Sequence, residues 1–359
     1  MSKLPQDLIT EILSRVPVKP LIRFKCVCKT WISLISNPEF AKLQLKRAKE
    51  NNNVSNHYRL LLATWPPQSL DYEAYCNDDI SNALRKLSYH AIAKDPNDNY
   101  DVRILGSCDG LVYLCNEYHD SMFLWNPTIG DYKELPKPNG AFHGMYLYGI
   151  GYNVNNDDYE VLFASRYNSN NSEETIVELY TLKTRTWRQI EDIDLAPKSH
   201  VASISWNGAI YWLVTKESGL NKAYVLVSFD MTEEKFKEIL TLPDSFYSDD
   251  ISAVSLGTSG NSLCVFFEKS GSFFEALILD VNNVEAPWSR LFCFPHDTFG
   301  GYGNSALCIT NNGEILMDSD GYQIFLYNPK ERVFKYFRLG KDTDSESGLY
   351  AESLISPNI

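Results

Sequence analysis

The sequence predicts an α+β multidomain protein, in which a small N-terminal helical unit precedes an all-β, propeller-like domain of about six blades. Three observations support this prediction. Apolar residues follow a helical period near the start of the chain. Further on, a strand–turn–strand pattern with aromatic residues recurs at intervals of roughly 50 residues. The net charge also changes sign between the two parts, which we expect to span residues 1–48 and 58–359, with a polar linker at 49–57.

Prolines divide the helical unit. Pro5 suits the first turn of a helix, where its missing N–H costs nothing, and Pro17 ends that helix because the residue before a proline avoids α geometry. Pro20 can begin a second helix, and Pro38 ends the helical run that follows, before a last short helix. The apolar residues of the first helix recur at three- and four-residue spacing, and they are Leu8, Ile9, Ile12, Leu13 and Val16.

The helical unit carries more apolar side chains than a bundle of its size can cover, because about 40 residues is near the lower limit for a self-sufficient core. We therefore expect part of this set to be buried against something else. Two partners fit: a groove on another protein, or the chain's own β domain. The set comprises Leu4, Leu8, Ile9, Ile12, Val18, Leu21 and Ile22.

Charge is distributed unevenly along the chain, whose formal net charge is −13. Residues 1–50 hold ten Lys or Arg and four Asp or Glu, a net charge of +6, whereas the remainder holds 23 and 42, a net charge of −19. The acidic body argues against nucleic acid as its ligand, since phosphate contacts need positive charge. The basic unit invites an acidic partner, but a solvated helical face would have the same composition.

The β region begins with a predicted strand at residues 57–64. An Asp- and Asn-rich stretch at 68–100 follows, and we expect it to be a surface loop. Five copies of an apolar strand come next, with spacings of 55, 49, 50 and 48 residues. In four copies an aromatic residue follows seven positions after the central residue. In the copy centred on Leu279 it follows nine positions after. The copies are centred on Trp125, Tyr180, Phe229, Leu279 and Tyr327.

Four strands in roughly 50 residues is the period of a kelch-like propeller blade, and a β-sandwich has no reason to repeat at this interval. Asp109-Gly110, Asn207-Gly208 and Asn312-Gly313 lie between apolar arms and predict a further hairpin upstream of three copies. The ring must also close, because an open edge strand invites aggregation. We predict that residues 349–355 pair with a strand near residues 59–63.

The sequence contains no Gly-rich phosphate loop, nucleophile elbow or His-Glu-x-x-His motif. We therefore predict no catalytic residue, no cofactor and no metal site. Cys26 and Cys28 are too close in sequence for a zinc half-site, and we expect both to pack within the helical unit. The chain has no apolar run long enough to cross a membrane and no secretory signal pattern. We expect reduced thiols and a cytoplasmic or nuclear location, or both.

The helical unit resembles the F-box of plant proteins. The resemblance runs through Leu4-Pro5, Asp7-Leu8-Ile9, Glu11-Ile12-Leu13, Arg15-Val16-Pro17-Val18, Leu21-Ile22-Arg23-Phe24, Trp31, Leu34-Ile35, Pro38 and Phe40. Pro20 stands where many relatives carry Ser, and a helix start tolerates that change. In the β region, the run at 106–112, Leu124-Trp125-Asn126-Pro127, Tyr132 and Leu135-Pro136 resemble the plant F-box-associated domain.

This resemblance implies a non-catalytic substrate receptor of a Skp–cullin–F-box ubiquitin ligase. The F-box would dock on a Skp-family adaptor, and through it on a cullin, a RING subunit and a conjugating enzyme. The propeller would bind a target protein, and its acidic charge favours a basic target. The residues implied to face the adaptor are Leu4, Pro5, Leu8, Ile12, Leu13, Pro17, Leu21 and Ile22. Those implied to join the helices or seat the adaptor's last helix are Val27, Cys28, Trp31 and Leu34.

An alternative function stays open at this point. The protein would then be a propeller lectin or enzyme whose helical unit packs on its own body. Convergent acids or stacked tryptophans at the centre of the ring would favour this alternative.

Overall fold

The N-terminal unit consists of four helices, as a computed structural model of the chain shows: α1 (Gln6–Ser14), α2 (Val18–Phe24), α3 (Lys29–Ile35) and α4 (Pro38–Glu50). The structure describes residues 4–50, 58–64, 66–76, 83–87, 102–116, 120–140, 145–169, 172–190, 203–218, 221–242, 251–269, 273–280, 287–295, 304–319, 323–337 and 346–358. Residues 4–50 are called the head below, and the described residues from 58 onward are called the body.

The helix boundaries follow the prolines, with two differences from the prediction. Pro17 is the N-cap of α2, so this helix begins at Val18 and Pro20 lies within its first turn. A proline is tolerated there because the first N–H groups of a helix have no intrahelical acceptor. The last helix is longer than predicted, since α4 has 13 residues and continues to Glu50.

The body consists of 24 strands among its described residues, arranged as six four-stranded antiparallel units that we call blades. Blade 1 contains β1 (Tyr58–Leu62), β2 (Gln68–Leu70), β3 (Leu84–Lys86) and β24 (Ser347–Ala351), with α5 (Tyr72–Cys76) between β2 and β3. Blade 2 contains β4 (Val102–Cys108), β5 (Leu111–Asn116), β6 (Ser121–Trp125) and β7 (Tyr132–Leu135). Blade 3 contains β8 (Met145–Asn153), β9 (Asp158–Ser169), β10 (Ser172–Thr181) and β11 (Thr186–Gln189).

The remaining blades follow the same order. Blade 4 contains β12 (Ile204–Trp206), β13 (Ala209–Ser218), β14 (Asn221–Asp230) and β15 (Lys235–Thr241). Blade 5 contains β16 (Ile251–Ser259), β17 (Ser262–Lys269), β18 (Phe273–Leu279) and β19 (Trp288–Pro295). Blade 6 contains β20 (Asn304–Ile309), β21 (Ile315–Ser319), β22 (Gln323–Asn328) and β23 (Val333–Tyr336). Parallel pairing of Thr258 with Cys308 and of Ser259 with Ile309 joins blades 5 and 6 into one eight-stranded sheet.

The predicted repeat is confirmed strand by strand. Each repeat centre lies in the third strand of its blade, and the aromatic residue predicted to follow it lies directly opposite on the fourth strand. The cross-strand pairs are Trp125 with Tyr132, Tyr180 with Trp187, Phe229 with Phe236, Leu279 with Trp288, and Tyr327 with Phe334. Directly opposed side chains, aromatic pairs in particular, stabilise antiparallel strands. All five repeat centres are buried, so they contribute to the cores of blades 2 to 6.

The ring closes as the sequence predicts. Strand β24 is antiparallel to β1, with Tyr58 opposite Ala351 and Leu62 opposite Ser347. The closing strand ends at Ala351, earlier than expected, and residues 352–358 leave the sheet.

The prediction of a loop over residues 68–100 is wrong for its described part. This part contributes β2, α5 and β3 to blade 1. Leu70, Tyr72 and Ala83 provide a buried apolar side that the many Asp and Asn residues obscured in the composition. The rest of the predicted loop, residues 77–82 and 88–100, lies outside the described residues.

The inner strands of neighbouring blades approach each other closely at glycines. A Cβ atom on Gly106 of β4 would lie 2.5 Å from Ser203 Oγ, and one on Gly257 of β16 would lie 2.5 Å from Leu307 O. Any side chain at these positions would push the inner strands apart. Glycine at these two positions therefore allows the inner strands of neighbouring blades to pack closely side by side.

Candidate functional site

One side of α1 presents apolar side chains to solvent. Leu8 and Ile12 are one helical turn apart and are 52% and 56% exposed, and Leu4 just before the helix is 55% exposed. We call these three residues the outer apolar face. Val27, between α2 and α3, is 60% exposed, and Ile32 of α3 is also exposed. An exposed apolar surface rimmed by polar residues is typical of a protein-binding site.

The remaining residues predicted to contact the adaptor lie in different environments. Pro5 and Pro17 are exposed, while Ile22 and Trp31 are half-buried. Trp31 packs against Phe24, with ring centroids 5.6 Å apart. Leu13 and Leu21 do not face outward as predicted, because they are only 2% and 0% exposed. Both side chains lie on the side of the head that packs on the body, so they are not part of the outer apolar face.

The buried side of the head packs on the body. Leu13, Val18, Leu21, Ile35 and Phe40 belong to one apolar cluster that continues into blades 2 and 3. The body residues of this cluster include Leu111, Leu124, Tyr159, Leu354 and Ile355. The surplus of apolar residues in the head is therefore divided: one part is buried against the chain's own propeller, and another part stays exposed.

Three ion pairs join the basic head to the acidic body. Lys19 Nζ lies 3.2 Å from Glu352 Oε1, Lys42 Nζ lies 2.6 Å from Asp157 Oδ2, and Lys49 Nζ lies 2.6 Å from Asp109 Oδ1. Part of the head's positive charge thus finds its acidic partner within the same chain. An acidic partner protein for the basic unit stays a prediction.

Two of these contacts shift the pKa of a group at the interface. Hydrogen bonds from Lys42, and then from Tyr152, lower the pKa of Asp157 to about 2. Burial disfavours the charged form of Lys49, but the charge and hydrogen bond of Asp109 outweigh it and raise the pKa of Lys49. The ionised forms of Asp157 and Lys49 are therefore favoured at the interface.

The head lies at one end of the blade strands. Asp109 and Asp157 lie in or beside the turns that connect the first and second strands of blades 2 and 3, and both turns face the head. At the opposite strand ends, the connections lie largely outside the described residues. The two ends of the ring therefore have different neighbours, and one end is occupied in part by the head.

A cavity of about 890 Å³ opens between the inner strands beside the head. Its described lining contains one carboxylate, Asp109, which is already paired with Lys49. It also contains one indole, Trp206, whose Nε1 donates to the carbonyl of Asn261 at 2.9 Å. The described lining thus lacks the convergent acids and stacked tryptophans that would favour a propeller lectin or enzyme.

Within the part of the chain that the structure describes, no cluster of three or more His, Cys, Asp or Glu residues is arranged to hold a metal ion. None of the described helices is long and apolar enough to cross a bilayer.

A helical head with one anchored face and one exposed apolar face, carried on a propeller, defines a two-part docking protein. The chain matches the F-box domain over residues 1–43 and the F-box associated beta propeller domain over residues 70–357. It therefore belongs to the plant F-box proteins with an F-box associated propeller domain. In general, an F-box binds a Skp adaptor, and this pair of domains supports a receptor role in substrate recognition rather than a catalytic one.

Several Arabidopsis thaliana proteins are similar over most of the chain. F-box protein At2g17830 is 29% identical over 311 residues, which cover 81% of this chain and 77% of that protein. F-box protein At3g49450 is 31% identical over 299 residues, covering 80% and 72%. F-box/kelch-repeat protein At3g23880 is 31% identical over 247 residues, covering 66% and 65%. Among solved structures, that of YjhT aligns with a TM-score of 0.43 at 13% identity, over 66% of this chain and 84% of that one.

Proposed function

We propose that this protein is the substrate receptor of a Skp–cullin–F-box ubiquitin ligase, with the outer apolar face as its adaptor-docking surface. The observation that carries the proposal is the exposure of Leu4, Leu8 and Ile12 on a head whose other face is already buried. Fully burying a large aliphatic side chain stabilises by roughly 1.5–3 kcal/mol. These three residues are already about half covered, so roughly half of that free energy per side chain is still to be gained. A partner's groove would recover that free energy.

The other end of the propeller is the proposed target-binding end. Loops on a rigid scaffold are the usual location of selective binding, and the head occupies part of the opposite end through Asp109 and Asp157. The body's formal charge of −19 favours a basic protein or a basic segment as the target. Catalysis by the receptor would consist of proximity alone: it holds the target's lysines near the conjugating enzyme.

The alternative function keeps one supporting observation, since the head does pack on its own propeller. This packing does not remove the need for a partner, because the outer apolar face remains uncovered. A lectin or enzyme would also require binding groups in the central cavity, and the described lining offers one paired carboxylate and one indole.

The test is adaptor binding by the full chain. Wild-type protein should co-purify with a Skp-family adaptor, and Leu8→Asp combined with Ile12→Asp should weaken this binding at least about 100-fold, because two central anchors are each worth about 2 kcal/mol or more. The matched control is Lys46→Asp, which changes the net charge by the same amount at an exposed position of α4.

The variant's propeller should stay folded, as judged by its thermal unfolding. Failure of the wild-type protein to bind any adaptor would refute the proposal. Loss of propeller folding in the double variant would show instead that the outer face serves the chain's own stability.

A further inference from the structure

The segment that follows the closing strand, residues 352–358, lies between the head and blade 2. It forms no strand, yet Ser353 is 0% exposed, and Leu354 and Ile355 are buried. Leu354 and Ile355 belong to the same apolar cluster as Leu13, Val18 and Leu21 of the head. This closing segment therefore completes the core beneath the head.

Asn126 of blade 2 holds the closing segment through its side-chain amide. Its Nδ2 donates to Ser353 O at 3.2 Å, to Ser353 Oγ at 3.1 Å and to Ile355 O at 2.7 Å. Asn126 is 0% exposed, so water does not compete for these bonds. Further along, Ser356 Oγ donates to Asp131 at 2.7 Å, and Asn358 Nδ2 donates to the carbonyl of Tyr132 at 3.2 Å.

Glu352 joins the same segment to the head and to blade 1. Its carboxylate lies 3.2 Å from Lys19 Nζ of α2 and 2.8 Å from Arg59 Nε of β1, and the Glu352 side chain is only 8% exposed. Arg59 is also paired with Asp71. One short segment thus contacts the head, blade 1 and blade 2 through well-buried polar groups.

We propose that residues 352–358, held by Asn126, are a positioning element that fixes the orientation of the head on the propeller. The inference deepens the proposed function and rests on it. A receptor that works by proximity must hold the target at a fixed distance from the adaptor-bound enzyme, and small displacements of reacting groups cost rate. A head joined to its propeller only by the linker could not set that distance.

The copy of the repeat in blade 6 provides a matched test. Asn126 has two roles: its Oδ1 accepts from Thr128 N within the turn, and its Nδ2 donates to the closing segment. Asn328, at the corresponding position of blade 6, accepts from Lys330 N and Glu331 N within its own turn. An Asp at position 126 or 328 keeps the side-chain oxygen that accepts hydrogen bonds within the turn. At position 126, however, Asn126→Asp also removes the Nδ2 group that donates to the closing segment, and it places a carboxylate next to the carbonyls of Ser353 and Ile355.

The experiment measures the distance distribution between spin labels on the head and the body of the full chain. The labels are introduced as non-canonical amino acids at the exposed positions Thr30 and Glu233, which leaves the native cysteines in place. Wild type and Asn328→Asp should give one narrow distance distribution, whereas Asn126→Asp should give a broader one. Ile355→Ala is the second variant, since it removes head contacts and leaves the turn of blade 2 intact.

Adaptor affinity and thermal unfolding of the propeller are measured in parallel. We expect adaptor affinity to stay at the wild-type level in Ile355→Ala while its narrow distance distribution is lost. Because Ile355 is buried, its truncation also lowers the unfolding temperature, so all distances are recorded well below the unfolding transition. A narrow, unshifted distribution in both Asn126→Asp and Ile355→Ala would overturn the inference. Absence of adaptor binding by the wild type would contradict the proposed function instead, and the distance result would still decide whether the segment positions the head.

Discussion

Lys42 of α4 and Asp157 of blade 3 form an ion pair across the boundary between head and propeller, with Nζ and Oδ2 2.6 Å apart. The Tyr152 hydroxyl donates a hydrogen bond to the other oxygen of the same carboxylate, Oδ1. Lys183 Nζ lies 3.5 Å from Asp157 Oδ2. Asp157 has a φ of 50°, a left-handed conformation that Asp and Asn adopt more readily than most residues. The backbone of the turn therefore aims this carboxylate at the head.

Asp157→Asn tests this contact with little backbone strain, since Asn also tolerates positive φ. The Asp157 side chain is 51% exposed, so solvent screening limits the expected loss of unfolding free energy at pH 7 to about 0.2–1 kcal/mol. The loss should shrink as salt is raised. Chemical denaturation of both proteins in low and high salt provides the measurement.

The same comparison has a predicted pH dependence. Because the pKa of Asp157 is lowered from 3.8 to about 2, the stabilisation is fully present above about pH 4 and is lost as the pH falls towards 2. Wild type and Asp157→Asn should therefore differ at pH 7 and converge near pH 2. A stability difference that stayed constant over this range would show that the carboxylate's charge is not what stabilises the interface.

Gly110 should be less tolerant of substitution than Gly208, although both occupy the same position in equivalent turns. Their φ values are +89° and +80°, so Ala is strained at either site. A Cβ atom on Gly110 would lie 2.2 Å from Ser353 Oγ and 2.8 Å from Ala351 O, whereas one on Gly208 would meet nothing within 4 Å. We expect Gly110→Ala to cost about 1–3 kcal/mol more unfolding free energy than Gly208→Ala. Equal losses in denaturant titrations would mean that the closing segment yields without cost.

Phe229 should contribute more to stability than any exposed residue of the same repeat pattern. It is fully buried and packs edge-to-face on Phe236, with ring centroids 4.9 Å apart. Phe229→Ala should lower the unfolding free energy by about 3–5 kcal/mol. Val333→Ala, at a position 49% exposed, should change it by no more than about 0.5 kcal/mol. Similar effects of the two substitutions would contradict the assignment of the repeat centres to the blade cores.

The sequence predicts the propeller well because the repeat is a local signal. Trp125 and Tyr132 are seven residues apart and face each other across one turn, so spacing alone identifies the hairpin. The loop predicted at 68–100 shows the limit of this reasoning. Strands β2 and β3 are each three residues long, which is too short for an alternation of apolar and polar residues to be recognised.

The two faces of α1 could be separated only in the structure. Leu8, Ile12 and Leu13 all fit a helical apolar stripe, and periodicity does not reveal which side of the stripe packs on the body. Tertiary contacts decide: Leu13 joins the cluster with Leu354 and Ile355, while Leu8 and Ile12 remain in solvent. In the sequence, Asn126 is recognisable only as part of the Leu124-Trp125-Asn126-Pro127 run, because its bonds to Ser353 and Ile355 connect residues more than 200 positions apart.

Blade 1 can be completed only after blades 2 to 6 have been synthesised, because its strand β24 pairs with β1. Strand β1 and the head leave the ribosome early, whereas β24 and the two apolar residues Leu354 and Ile355 are made only after blades 2 to 6. Until then one edge of β1 is unpaired and the inner surface of the head is not fully covered, and both features favour aggregation. Chains interrupted before residue 347 would keep these surfaces exposed, and we expect them to aggregate more readily than the full chain.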